Sequence, residues 1–244
     1  MEPERAHLSL TIAELMADFP RFQVAFLAAR GLAPSPAPAI EAFCREAEAA
    51  AAAHLAGHEI ADLEEIRDWR ATYRAFGSKK TSYRNSCEAL LRRLKAGQGL
   101  PRVLSLVDLY NAISVMYLVP AGADDLDQVT PPNAFRFARP GDSFLDLARD
   151  PPVDDPPFEG EVVYTDSEKC LCRRWNWRQD ARSRIRPETR DTLVVIQTLA
   201  DDGEARLSAA AERFAQLAGQ DLGATCHWSI ANAAMPHVTL PTPD

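Results

Sequence analysis

Histidine is scarce in this chain of 244 residues. The five present (His7, His54, His58, His227 and His237) sit near the termini or in amino-terminal helical segments, away from the polar cluster described below. A histidine-dependent acid or base is therefore not supported. Also missing are the nucleophile elbow Gly-x-Ser-x-Gly, the phosphate loop Gly-x-x-x-x-Gly-Lys and any dinucleotide fingerprint, which sets aside the hydrolase, nucleotidase and dehydrogenase classes that depend on them. His54 and His58 are four apart and could hold a metal, but a solvated helix face is the expected reading, and neither metal nor cofactor is predicted. Cysteines number five, Cys44, Cys87, Cys170, Cys172 and Cys226. An odd, scattered set fits free thiols in a reducing compartment better than a disulfide framework, and Cys170-Leu171-Cys172 is too tight for a zinc knuckle. No apolar run approaches the roughly 18 residues needed to cross a bilayer. The start, Met1-Glu2-Pro3-Glu4-Arg5, is acidic rather than signal-like, so a soluble cytoplasmic protein is expected.

Charge is present but segregated. The net charge is -8, yet Arg67 to Arg102 holds ten Lys and Arg against two acids, and Ser167 to Arg190 eight against three. The remainder is strongly acidic. Such a body with two basic islands steers an anionic partner to one face, unless the arginines merely line the solvated side of a helix. Neither DNA nor a membrane is expected as a partner. The densest feature is Cys172-Arg173-Arg174-Trp175-Asn176-Trp177-Arg178, with three arginines and two tryptophans in seven residues. Tryptophan stacks and arginine forks onto anions, so the run can serve as a base- or ring-binding surface. The alternative is a strand whose tryptophans face the core and whose arginines stay wet.

Periodicity predicts a buried strand over Phe22 to Ala28 ended by Gly31. A helix from about Ala39 to Leu55 follows, behind a stiff lead-in of Pro34, Pro36 and Pro38. A second helix spans Asp62 to Phe76, with Leu63, Ile66, Trp69 and Tyr73 on one face. Asn85 and Glu88 form the pattern of a capping box for a third, and Val103 to Tyr117 reads as a fourth, apolar over most of its circumference. Asp108 and Asn111 interrupt that buried helix on one face, as a cap or tether or as groups pointing into a pocket. Asp124-Asp125-Leu126-Asp127 lacks the glycine and glutamate of a calcium loop and reads as an acidic turn. Strands are expected at Phe135 to Ala138, Glu161 to Tyr164, Cys170 to Trp175, Leu193 to Ile196 and Thr225 to Ile230. Pro151 to Pro157 is expected as an extended connection, and a helix near Ala205 to Ala218. Strands and helices mix without regular alternation, which indicates an α+β fold.

Three separated segments, Tyr73-Arg74-Ala75-Phe76-Gly77, Leu106-Val107-Asp108-Leu109-Tyr110-Asn111 and Arg173 to Arg178, occur in the order found in stand-alone B3/B4-domain proteins. Leu106 to Asn111, followed by Pro120 to Asp127 and by Glu161 to Asp166, also resembles the B3/B4 editing, tRNA-binding domain of the phenylalanyl-tRNA synthetase beta subunit. The likeness covers about residues 67–199, within one domain spanning 1–244 that adds flanking elements at 8–60 and 200–235. It implies an α+β domain of mixed sheets with flanking helices around a central pocket, which in the synthetase hydrolyses tyrosine wrongly esterified to the tRNA for phenylalanine. Two departures stand out. The family's pocket histidine falls on Gly122, and its glycine-rich loop is replaced by Arg174, Trp175, Asn176 and Trp177, so a different acyl group is expected.

On this resemblance the ligand is an aminoacyl or amino-acid-like group, carried by tRNA or free. Its pocket is expected from Asn111, Gly122, Asp125, Glu161, Arg174, Trp175 and Asn176. Asn111 and Asn176 orient the ester or amine, and Glu161 or Asp125 meets the ammonium. RNA contacts are expected from Lys79, Lys80, Arg84, Arg173 and Arg178. No catalytic residue is assigned, with water as the nucleophile. Deacylation of mischarged tRNA and non-catalytic binding of an amino acid, metabolite or RNA both remain open, as does a protein-interaction scaffold. The aminoacylating module is not within these residues, so the chain is not a complete tRNA ligase.

Overall fold

A computed structural model of the protein describes residues 7–33 and 35–241; Met1 to Arg5 and Pro34, both used above, lie outside them. The chain runs β1 (Ser9–Thr11), β2 (Gln23–Arg30), α1 (Pro38–Leu55), α2 (Glu64–Ala75), α3 (Ser86–Lys95), α4 (Ser105–Tyr117), β3 (Ala121–Asp125), β4 (Asn133–Phe137), β5 (Leu145–Asp146) and β6 (Val153–Asp154). It continues through β7 (Val162–Thr165), β8 (Cys170–Arg173), β9 (Arg178–Gln179), β10 (Thr192–Thr198), α5 (Gly203–Leu222), β11 (Thr225–Ala231) and β12 (His237–Thr239). The expected α+β mixture is what forms.

Two sheets organise these elements. A four-stranded antiparallel sheet has the order β11-β2-β10-β3, and a six-stranded sheet the order β12-β1-β4-β7-β8-β9, in which only β1 and β4 run parallel. Strands β2 and β10 are buried on both faces, which is why their sequences read as almost unbroken apolar runs. Ala25, Leu27, Ala29, Val194 and Ile196 meet a layer of α1, α3, α4 and α5. The alternate residues Val24, Phe26, Ala28, Leu193 and Val195 meet Phe135, Val162, Tyr164 and Leu171 of the six-stranded sheet. The molecule is thus layered as helices, antiparallel sheet and mixed sheet, with a buried Phe or Leu stabilising by about 1.5–3 kcal/mol.

Three local readings need correction. Asp124 and Asp125 end a strand rather than form an acidic turn, because β3 is recruited as the edge partner of β10, with Asp125 opposite Thr192. The capping box is half formed: Asn85 accepts from the Glu88 backbone N–H at 2.8 Å. The Glu88 carboxylate does not return the bond, because Arg70 (2.6 and 3.0 Å) and Arg92 (2.8 Å) hold it. The histidine pair does not share a helix, since α1 stops at Leu55 and His58 lies beyond it. Asp108 resolves as a tether, accepting from Val103 N–H at 2.8 Å ahead of α4.

Candidate ligand-binding site

Strand β3 is built from small residues, Ala121, Gly122 and Ala123, and this leaves space beside α4 that the larger side chains of β7 and β10 do not fill. The result is a cavity of about 210 Å³. Tyr110 and Asn111 of α4 line it, with Gly122 and Asp124 of β3, Tyr164 of β7, Cys172 of β8, Asn176 and Trp177 of the following turn, Arg178 and Gln179 of β9, and Gln197 of β10. The lining mixes hydrogen-bonding groups with apolar surface and is nearly neutral, with one carboxylate and one guanidinium. It is smaller than the roughly 300–1,000 Å³ of drug-sized sites, a volume suited to one amino-acid-sized group.

Asp124 is the chemically unusual member. Its Oδ1 accepts from Ser183 Oγ at 2.7 Å and Gln179 Nε2 at 2.9 Å, and its Oδ2 takes no donor among the described residues. Burial pushes its carboxyl up to about 7. The Ser183 and Gln179 hydrogen bonds and the field of Lys169 oppose this, and the nearby Asp180 adds to it. The Asp124 carboxyl therefore changes charge near neutral pH and favours a cationic guest. Burial, with Asp124 next in size, raises the Cys172 thiol far above its ordinary value, so it stays protonated and is a poor nucleophile. Tyr110 is raised in the same way by burial and then by Asp124 and Asp108, and remains a neutral hydroxyl.

The turn that closes one wall has an unusual backbone. Arg174 (φ 46°) and Trp175 (φ 66°) both occupy the left-handed region, which glycine adopts freely and bulky residues resist. The strain is held by Arg174 N–H to Glu161 Oε1 (2.8 Å) and Trp175 N–H to the Val162 carbonyl (2.7 Å). Trp175 is fully buried, edge-on to Phe19, Phe22 and Trp69 with centroids 4.8–5.4 Å away. Asn176 is pinned as well: Tyr73 Oη donates to its Oδ1 at 2.7 Å, and its Nδ2 donates to Gln197 at 3.2 Å. Beyond it, Arg174 stacks 3.8 Å from the Tyr83 centroid and 4.4 Å from that of Trp177, and Arg178 lies 4.6 Å over Trp177.

Asn111, Gly122 and Asn176 therefore converge on one cavity, and Arg178, expected at RNA, lines it too. The others do not. Glu161 is fully buried and bound by Arg173 through two bonds of 2.9 and 3.0 Å, so it is spent on the fold rather than on an ammonium. Arg173, with 2% of its surface exposed, also donates to the Asp155 carbonyl and cannot face RNA. Asp125 points away from the cavity, accepting from Thr189 (2.8 Å) and Arg186 (3.3 Å). Trp175 belongs to the core and Arg174 to the stack beside the cavity. Arg84 sits 3.6 Å from Glu88, whereas Lys79 and Lys80 are exposed. Asp124, Tyr110, Tyr164, Gln179 and Gln197 were not anticipated. A second cleft of about 270 Å³, lined by Glu64, Glu65, Asp68, Asp201, Asp202 and Arg206, is neutralised in part internally: Arg206 meets Glu65 at 2.7 Å, and Arg21 meets Asp68 at 2.9 Å.

Among the described residues, no helix is long and apolar enough to cross a membrane. The family described as the B3/4 domain matches residues 68–219, a span that holds every cavity residue named above. No curated protein matches. Among solved structures, the chain is similar to an N-terminal fragment of the phenylalanyl-tRNA synthetase beta subunit from Pyrococcus horikoshii, at 11% identity and a TM-score of 0.49. The alignment covers 91% of this chain and 50% of that one, so the chain spans half the length of that structure.

Proposed function

From the premise that the chain belongs to the B3/4 domain family, we propose that its cavity receives the aminoacyl group of an aminoacyl-tRNA and promotes hydrolysis of the ester. The observation that carries this reading is Asp124, the one carboxylate lining a cavity of amino-acid size whose walls mix polar and apolar groups. Its Oδ2 pairs with the α-ammonium. Asn111, whose side chain has no hydrogen-bond partner among the described residues, orients the acyl carbonyl. Water is the nucleophile: its oxygen bonds to the acyl carbon, the bond to the ribose oxygen breaks, and a proton from the water ends on that oxygen. Neutral Tyr110 and Tyr164 hydroxyls are available to stabilise the developing oxyanion.

Incubation with a panel of mischarged tRNAs tests this. The expected result is that one aminoacyl ester is cleaved faster with the protein than with its Asp124→Asn variant; equal rates across the panel sink the hydrolytic reading. A second reading rests on Arg178, which lines the same cavity and, with only one nitrogen given to Asp146 Oδ1 at 3.3 Å, keeps donors for a free carboxylate. Here the guest is a free amino acid, held at both charges and not hydrolysed. Calorimetric titration with free amino acids separates the two, since an ester-specific site ignores them.

A further inference from the structure

A small pocket of about 70 Å³ lies at the end of α2 and in the loop that follows, lined by Arg74, Ser78, Lys79, Lys80, Thr81 and Tyr83 among others. Gly77 takes a φ of 92° there, and the Ser78 N–H is used on the Tyr73 carbonyl at 2.8 Å, which sets the Ser78 side chain in the pocket lining. Ser78 is only 4% exposed, and its Oγ is buried without a hydrogen-bond partner. A buried hydroxyl left unsatisfied costs about 1–3 kcal/mol, so an acceptor entering the pocket gains by reaching it. The surrounding charges specify the sign of that acceptor. Arg74, Lys79 and Lys80 are exposed and have no acidic partner among the described residues. A pocket of about 70 Å³ has room for one tetrahedral oxyanion.

We infer that this pocket is a phosphate site, with Ser78 donating one hydrogen bond and Arg74, Lys79 and Lys80 supplying the charge. The phosphate belongs to a single-stranded RNA end, an assignment that rests on the aminoacyl-tRNA reading above. Tyr83 lines the pocket and touches Arg174, which stacks on the cavity residue Trp177. The Tyr83-Arg174-Trp177 stack therefore joins the phosphate site to the cavity and offers a base an aromatic edge between them.

The test uses backbone amide spectra of the full chain titrated with inorganic phosphate, and separately with a six-nucleotide single-stranded RNA. Saturable shifts confined to residues 70–84 are expected with phosphate, displaced by the RNA. Ser78→Ala is expected to weaken phosphate about 3- to 10-fold, the range set by one hydrogen bond. Lys79→Ala with Lys80→Ala should weaken the RNA further and flatten its salt dependence. Wild-type affinity in Ser78→Ala, or shifts that never saturate, overturns the site; phosphate binding that the RNA does not displace overturns its assignment to a strand. Amino-acid or ester binding by the Ser78→Ala variant is read in parallel. Its retention alongside a failed phosphate site leaves the cavity reading standing, and phosphate binding without any cavity ligand does the reverse.

Discussion

Glu161 and Asp124 are both buried carboxylates, 0% and 4% exposed, and they have opposite surroundings. Glu161 is met by the Arg173 guanidinium and the Arg174 N–H, so its charge is neutralised inside the fold. Asp124 is met only by the neutral donors Ser183 and Gln179. The first arrangement locks a strained turn; the second leaves a negative charge for something else to satisfy. Neighbouring cations, rather than burial, separate the structural acid from the candidate binding one.

The comparison can be broken in three places. Removing one partner of a sealed pair should cost the most: Glu161→Ala is expected to lower stability by about 3–5 kcal/mol in urea denaturation. Replacing both partners, Glu161→Gln with Arg173→Met, should recover most of that. A single-variant loss below about 1 kcal/mol, the size of an exposed pair, would contradict the sealed state of Glu161.

Asp124→Asn should act with the opposite sign. The folded carboxyl titrates near 7 against 3.8. The native state therefore holds the extra proton between those values, and wild-type stability falls as pH rises through that window. At pH 8 the variant should be more stable by up to about 4 kcal/mol, at 1.36 kcal/mol per unit. The advantage should vanish near pH 4, and denaturation at pH 4, 6 and 8 reads it. The same charge change should make wild-type affinity for an ammonium ligand rise with pH up to about 7.

The smallest effect is at Gly122. A Cβ built there meets nothing within 4 Å. Gly122→Ala should stabilise by about 0.5–1 kcal/mol through reduced chain freedom and leave ligand binding intact. Gly122→Phe should retain the fold and abolish binding. Thermal melts paired with ligand titration distinguish these outcomes.

Much of the scaffold was legible in local pattern, because α1, α2, α3 and α4 carry regular apolar faces and β2 and β10 have almost unbroken apolar centres. The cavity was only half legible. Asn111, Gly122 and Asn176 were reached through motif resemblance, whereas Asp124 was hidden in an acidic run. Its strand has no apolar alternation, since small residues were used to leave space, and its pairing with β10 is remote in sequence. Trp175 and Trp177 failed for a different reason. Two residues apart, they would share a face of a regular strand. Successive left-handed residues at Arg174 and Trp175 break that parity, sending Trp175 to the core and Trp177 to the cavity. No propensity places two bulky residues in that conformation; remote bonds from Val162 and Glu161 do.

That turn also makes the two walls of the cavity unequal in how they can diverge. Every residue from Arg173 to Asn176 is committed twice, to the shape of the wall and to an ion pair, stack, core or hydrogen bond behind it. Alteration on this side carries a cost in folding. The opposite wall, centred on Gly122, has open space where a Cβ would stand, with no neighbour within 4 Å of it. A change of ligand preference in this chain therefore costs the fold less in strand β3 than in the tryptophan turn, which behaves as a fixed frame.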